Sequence, residues 1–242
     1  MLQLSKITPI GNLRGGLGHL LVALLVTAFG CGRASSFRQQ IQAVRDATDD
    51  RVQISDRQIT DRDMRDLKGL SGLRELVLDD TCLTDRGVHE LRDAAKLEHL
   101  RLVGARITDE GMQTVAGLKA LRILNLPDAG FSDESLRAIS DLPQLELLRF
   151  GSSRVTDAGL DHLTRFPRLR FLHLIAVPIT DAGLLRLAKL PNLESLYLDE
   201  IDVSDEAVTQ LLKSLPGVHV HIDEAHHRSD PHGNDHSHGD GA

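Results

Sequence analysis

The amino-acid sequence predicts an α/β solenoid, a curved right-handed stack of strand–helix units with a parallel sheet on its concave face. Two observations carry this prediction: a period of 24 residues, and a change within each period from strand-like to helix-like hydrophobic spacing. Six copies in register begin at positions 73, 97, 121, 145, 169 and 193. An eroded copy precedes them from position 49, and a last strand, VHVHID, follows from position 218.

Each copy opens with a short predicted strand. Apolar residues occupy the fourth and sixth positions and the residues between them vary, which is typical of a strand with one buried face. The third, fifth and seventh positions should then project from the concave face. The buried pairs are Leu76 and Leu78, Leu100 and Leu102, Leu124 and Leu126, Leu148 and Phe150, Leu172 and Leu174, and Leu196 and Leu198.

The second half of each copy predicts a helix, with apolar residues at helical spacing such as Leu160, Leu163 and Phe166. A Thr-Asp or Ser-Asp dyad precedes each helix, from Thr60-Asp61 to Ser204-Asp205. These side chains accept hydrogen bonds from free N–H groups at a helix start, so the dyads favour helix capping over catalysis. A glycine two places later in most copies should allow neighbouring turns to pack closely. One copy cannot bury its own apolar face, so the copies are expected to stack.

The pattern L-x-x-L-x-L followed by TD-x-G-L resembles the leucine-rich repeat family over about residues 49–223. It is similar in particular to the repeats of bacterial leucine-rich-repeat lipoproteins. The resemblance implies a solenoid that binds a protein partner through its concave face. No Ser-His-Asp or Cys-His arrangement and no phosphate loop accompanies the repeats, which favours a binding protein over an enzyme.

The N-terminal residues 1–30 are expected to be a signal peptide. Their apolar run, from Leu20 to Phe29, is about half the length of a membrane-spanning helix. The stretch TAFGC resembles a lipobox, which implies a lipidated Cys31 at the head of a tether over 31–36. An ordinary cleaved signal and an uncleaved signal anchor are the alternatives, and all three export the chain to the cell envelope. Phe37, Ile41 and Val44 then predict an N-terminal capping helix over 37–48.

Composition narrows the classes of partner. The chain has 28 basic and 35 acidic residues, a net charge of −7 and no block of Lys or Arg, which disfavours nucleic acid as a partner. If Cys31 carries lipid, Cys82 has no partner for an internal disulfide. We expect a monomer with no resident cofactor.

A candidate binding surface follows from the concave positions. Neighbouring strands lie about 4.8 Å apart, so Ile123, Leu147 and Phe171 should touch. An apolar patch of this kind, bordered by polar and aromatic groups, is typical of a protein-binding surface. The alternative is that scattered apolar residues on a sheet need no partner. The bordering residues are Arg101, Arg149, His173 and Tyr197.

The C-terminal segment 224–242 is expected to be disordered, because it is rich in His, Asp and Gly. Seven of the twelve histidines lie between His219 and His238. A His-x-His pair on a strand can begin a site for zinc, nickel or copper, which gives metal sequestration or delivery as the alternative function. A solvated end and a pH-dependent charge are the competing interpretations. The candidate ligands are His219, His221, Asp223, His226, His227, His232, His236 and His238.

Overall fold

A computed structural model describes residues 36–223 and 225–226 of the chain. Their main feature is a sheet of nine strands, eight of them parallel, whose order follows the chain. A ninth strand, β11 (Ala225–His226), pairs antiparallel with the last parallel one. The parallel strands are β1 (Arg51–Ile54), β3 (Glu75–Leu78), β5 (His99–Leu102), β6 (Ile123–Leu126), β7 (Leu147–Gly151), β8 (Phe171–Ile175), β9 (Ser195–Asp199) and β10 (His219–Ile222). A separate parallel pair joins β2 (Ile59–Thr60) to β4 (Thr81–Cys82).

The sheet register repeats the sequence period. Cα partners on neighbouring parallel strands are 24 residues apart from Arg51 and Glu75 at one end to Ser195 and His219 at the other. The fourth and sixth positions of the six good copies are at most 1% exposed, because they face the helices. The opposite face of the sheet carries the third, fifth and seventh positions and is called the concave face below. The predicted α/β solenoid is confirmed.

Each repeat places a short helix behind its strand, and four repeats complete the turn in a 3₁₀ helix. Among the described residues, no helix is long and apolar enough to cross a lipid bilayer. The α-helices are α1 (Phe37–Arg45), α2 (Asp61–Met64), α3 (Asp85–His89), α4 (Asp109–Gly117), α5 (Asp133–Ile139), α6 (Asp157–Leu160), α7 (Asp181–Arg186) and α8 (Asp205–Ser214). The 3₁₀ helices are Arg65–Leu67, Glu90–Asp93, Asp161–Arg165 and Leu187–Lys189.

The hydroxyl of each dyad and its aspartate make hydrogen bonds in different repeats. Five of the hydroxyls accept a hydrogen bond from the first turn of their own helix, as predicted. The aspartates differ from the prediction, because each carboxylate from Asp61 to Asp181 accepts from the backbone N–H and the hydroxyl of the next repeat's Thr or Ser. These bonds measure 2.6 to 3.0 Å. The result is an aspartate ladder that links successive helix starts along one edge of the solenoid.

Small residues beside the dyads make room for the aspartate ladder. A Cβ on Gly159 would collide with the carboxylate of Asp133, and the same holds at the equivalent glycines of three other repeats. Ser135 replaces this glycine once, and its hydroxyl donates to Asp109 at 2.6 Å. The close packing predicted for the glycines is therefore an approach to a carboxylate. The other three glycines are Gly87, Gly111 and Gly183.

A second ladder runs along the second position of each repeat, where basic and acidic residues alternate. Arg122 lies 3.9 Å from Glu98 on one side and 3.1 Å from Glu146 on the other. Arg170 donates two hydrogen bonds of 2.6 Å to Glu194. This alternating ladder was not predicted, although it is visible in the sequence at 24-residue spacing. Its members are Asp50, Arg74, Glu98, Arg122, Glu146, Arg170 and Glu194.

Both ends of the run of eight parallel strands make further contacts. The Gln40 side chain on α1 accepts from the Gln53 N–H at 2.7 Å and donates to the Gln53 carbonyl at 2.9 Å, which satisfies the outer edge of β1. At the other end, β11 pairs with β10. The predicted helix over 37–48 ends at Arg45, because Ala47 has a φ of 54°, a left-handed conformation that no α-helix continues. The edge strand β11 has only two residues, and short edge strands offer little template for another chain.

Candidate binding surface on the concave face

The three apolar side chains predicted to touch lie side by side at the centre of the concave face. Ile123, Leu147 and Phe171 are successive Cα partners on β6, β7 and β8. All three are half-buried, so each keeps part of its surface available to a partner. Arg170 covers one side of the Phe171 ring, with its guanidinium carbon 5.2 Å from the ring centroid. These three residues are called the apolar row below.

The predicted border of polar groups is instead a second row beside the first. Arg101, Arg149, His173 and Tyr197 all stand at the fifth position, so they lie on one line across the sheet, from β5 to β9. Asn125 on β6 fills the remaining place in this line. We call these five residues the polar row. A partner lying along one strand would contact both rows, since positions three and five share a face.

Two members of the polar row, Arg101 and His173, are paired with carboxylates. Arg101 donates to Asp79 at 2.7 Å, and the Nε2 atom of His173 lies 2.6 Å from Asp199. Burial is the main reason why the pKa of His173 lies below its ordinary value. The Asp199 hydrogen bond opposes this shift, and the positive charge of Arg149 adds to it. Both side chains are therefore held in place by carboxylates of the same face.

Three rings continue the polar row toward the C-terminal end of the sheet. The rings of His173 and Tyr197 are 5.3 Å apart, and the rings of Tyr197 and His221 are stacked at 4.4 Å with 9° between their planes. Burial raises the pKa of the Tyr197 hydroxyl. These rings form a line across strands β8, β9 and β10.

Arg149 and Asn125 form the centre of the polar row and differ from its ends. Asn125 is only 8% exposed, and its Oδ1 atom is buried without a hydrogen-bond partner. The Nε atom of Arg149 is also buried without a partner, and no carboxylate of the described residues lies within 4.0 Å of its guanidinium. Burial lowers the pKa of Arg149, and the charge of Arg101 lowers it further, while Asp199 and Asp128 act in the opposite direction. Asn125 was not predicted as a site residue, because its burial depends on the side chains around it.

At the N-terminal end of the concave face, the charged side chains are paired with one another. Glu75 lies 3.6 Å from His99 and also accepts a hydrogen bond from Gln53. The hydrogen bond from His99 is the main reason why the pKa of Glu75 lies below its ordinary value. Acidic and basic groups of this end are matched with one another, so it offers little unpaired charge to a partner.

The predicted metal ligands are only partly within the described residues. His219 and His221 lie on β10, and the β10–β11 register makes His226 the Cα partner of His221. Asp223 lies one residue beyond the strand, and its Oδ1 atom accepts from the Glu200 N–H at 3.0 Å. Residues 36–223 and 225–226 contain no group of three or more His, Cys, Asp or Glu arranged to hold a metal ion. The remaining predicted ligands, His227, His232, His236 and His238, lie outside the described residues, as does Cys31.

Comparison with known proteins identifies the repeat. A family model described as a leucine-rich repeat matches residues 94–116, which hold strand β5 and most of helix α4. No curated protein matches the chain. The matched unit recurs in the structure with the same 24-residue register on either side of the match. The match supports a leucine-rich repeat, and the recurring register of the sheet agrees with it.

Proposed function

We propose that this protein is a non-catalytic binding module that holds a protein partner on its concave face. Leucine-rich repeat domains generally mediate protein–protein interaction. The observation that carries the proposal for this chain is the apolar row, in which three half-buried side chains lie in contact range on adjacent strands beside a polar row. Apolar surface of this kind, next to aromatic and arginine side chains, has the composition of an interface core.

The covered edges of the sheet support the choice of this face. A partner that added a strand would need free backbone N–H and carbonyl groups at β1 or at the far end of the sheet. Gln40 occupies those groups on β1, and β11 occupies the edge of β10. The partner is therefore expected to contact side chains of the sheet face rather than the backbone of its edges.

A matched pair of leucine variants tests the proposal. Leu147→Asp places a charge in the apolar row, and Leu185→Asp places one on a partly buried leucine of helix α7. We expect Leu147→Asp to abolish capture of partner proteins from an envelope extract, and Leu185→Asp to leave capture intact. Thermal unfolding of both variants checks that each remains folded. Equal capture by wild type and Leu147→Asp would overturn the proposal.

We also propose that the protein acts at the cell envelope, anchored through a lipid on Cys31. The support is the sequence of the N-terminal segment, with its short apolar run and the TAFGC stretch. Mass spectrometry of the mature N-terminus tests this, with Cys31→Ser as the matched variant. We expect a lipidated Cys31 in the wild type and a protein that leaves the membrane fraction in the variant. An unmodified N-terminus beginning elsewhere would contradict the anchor.

Metal handling is the second candidate function. The observation that favours it is the register of β10 and β11, which brings the backbones of His221 and His226 side by side. Further ligands would have to come from the C-terminal histidines. Calorimetric titration of Zn²⁺, Ni²⁺ and Cu²⁺ compares the full chain with a chain that ends at Asp223. Tight binding with a defined stoichiometry that disappears on truncation supports the metal role. Weak binding, or binding that survives truncation, would show that the C-terminal segment has no metal-binding role.

A further inference from the structure

We propose that Arg149 and Asn125 are the recognition centre for an acidic side chain of the partner, and that an apolar side chain of the same segment packs on the apolar row. The inference rests on the proposed function, because it names the chemistry of the partner that the concave face accepts. Both residues lie at the fifth position of their repeats, on the adjacent strands β6 and β7.

Charge matching on the concave face is the first line of argument. Arg101 is paired with Asp79, His173 with Asp199, and His99 with Glu75. Arg149 is half-buried between them, yet no carboxylate of the described residues lies within ion-pair distance of it. A guanidinium keeps its charge at any physiological pH, so a partly desolvated arginine without a counter-ion is costly. A carboxylate from outside would remove that cost through two parallel N–H···O bonds.

Asn125 supplies the second, independent observation. Its amide is more than nine-tenths buried, yet its Oδ1 atom has no hydrogen-bond partner. Buried polar side-chain atoms are nearly always paired, and an exception marks a place where a ligand or water completes the set. The amide nitrogen of Asn125 and the terminal nitrogens of Arg149 are not among the buried unpaired atoms, so both can donate to a carboxylate of a partner. Asn125 and Arg149 together therefore offer the donors that an acidic side chain needs.

The position of Arg149 favours a segment that carries an acidic and an apolar side chain. Strand β7 is the fifth of the nine strands in the large sheet, so a segment that lies along β7 has four more strands on each side of it. On β7 itself, Leu147 precedes Arg149 by two residues, which is a spacing of about 7 Å. An extended partner strand would match it with an acidic and an apolar residue two positions apart.

A randomised peptide library tests this chemistry, displayed with both peptide ends fused so that no free carboxyl terminus is present. The full chain is expected to select peptides with Asp or Glu two positions from Leu, Ile or Phe. Arg149→Met should weaken the selected peptides about tenfold to hundredfold, which is the usual effect of losing a charged hydrogen-bond donor. Arg106→Met is the matched control, because it removes one exposed arginine outside the sheet and should leave the affinity unchanged.

A second variant keeps the inference falsifiable if Arg149→Met is poorly folded. Asn125→Asp supplies a carboxylate to Arg149 from the neighbouring strand, so it should weaken acidic peptides as strongly as Arg149→Met does. Selected peptides without Asp or Glu, selection of no peptide, or an acidic preference that survives both variants would overturn the inference. If such peptides still depend on Leu147, the concave face remains the binding surface. Binding unaffected by Leu147→Asp would instead overturn the proposed function itself.

Discussion

The edge of the solenoid that carries the aspartate ladder and the concave face are built from the same seven repeats. They differ in whether the same side-chain contacts recur from one repeat to the next. Along the dyad edge, every aspartate from Asp61 to Asp181 finds the same two donors in the next repeat. On the concave face no row keeps one residue type from repeat to repeat, and Arg149 and Asn125 have atoms without partners. Positions at which the same residue type recurs hold neighbouring repeats together. Positions at which the residue type varies do not have this packing role, so function is expected there.

The first prediction compares two adjacent residues of β7 that face opposite ways. Leu148 is 1% exposed in the core, whereas Leu147 is half-buried on the concave face. Leu148→Ala should lower the free energy of unfolding by about 3 kcal/mol, through lost burial and the cavity left behind. Leu147→Ala should cost less than about 1 kcal/mol, because little packed volume is lost. Denaturant unfolding of both variants measures the difference, and equal costs would remove the distinction between the two faces.

The second prediction concerns the aspartate ladder. Asp109 accepts hydrogen bonds from Ser132 and Ser135, and Arg154 lies 3.2 Å from it. Burial raises the pKa of Asp109, but these hydrogen bonds outweigh it and leave the pKa below its ordinary value. Asp109→Ala should destabilise the protein by about 2 to 3 kcal/mol, because partly buried donors lose their acceptor. Asp202→Ala, at an exposed site, should change stability by less than about 0.5 kcal/mol. A small effect at Asp109 would show that the ladder adds little to the stack.

The third prediction reverses the usual rule for glycine in helices. An added Cβ at Gly159 would push against Asp133, whereas one at Gly117 meets no atom within 4 Å. Gly159→Ala should therefore destabilise the protein by about 1 to 2 kcal/mol. Gly117→Ala should stabilise it by up to about 1 kcal/mol, as alanine normally does in a helix. Thermal unfolding distinguishes the two, and a stabilising Gly159→Ala would contradict the role assigned to the glycine.

The fourth and smallest effect is a pH dependence at the concave face. Burial holds the pKa of folded His173 below its ordinary value of 6.5, so the unfolded chain binds the proton more readily. The stability linked to neutral His173 is complete above pH 6.5 and is lost as the pH falls through the folded-state pKa. His173→Gln should therefore flatten the decline in unfolding free energy below pH 6.5. His89→Gln, at an exposed site, should not change it. Parallel curves for wild type and His173→Gln would contradict this assignment.

Much of the fold could be predicted from the sequence because it depends on residues that recur. The fourth and sixth positions fix the strands, and their 24-residue spacing fixes the register. The apolar row could be predicted from the same register. The unpaired atoms at the centre of the polar row could not be predicted, because the burial of Asn125 and the lack of a partner for Arg149 depend on where neighbouring side chains point. The sequence pattern predicts that each dyad aspartate acts on its own helix, because the pattern does not show that Asp61 reaches Thr84 in the next repeat.

The alternating ladder also restricts how this chain could have grown. Arg122 stands between Glu98 and Glu146, and the sign of the charge changes at each step along the stack. Loss or gain of a single 24-residue copy inside the ladder would bring two like charges together, whereas loss or gain of two adjacent copies would keep the alternation of charge. The ladder therefore favours repeats that are added or removed in pairs.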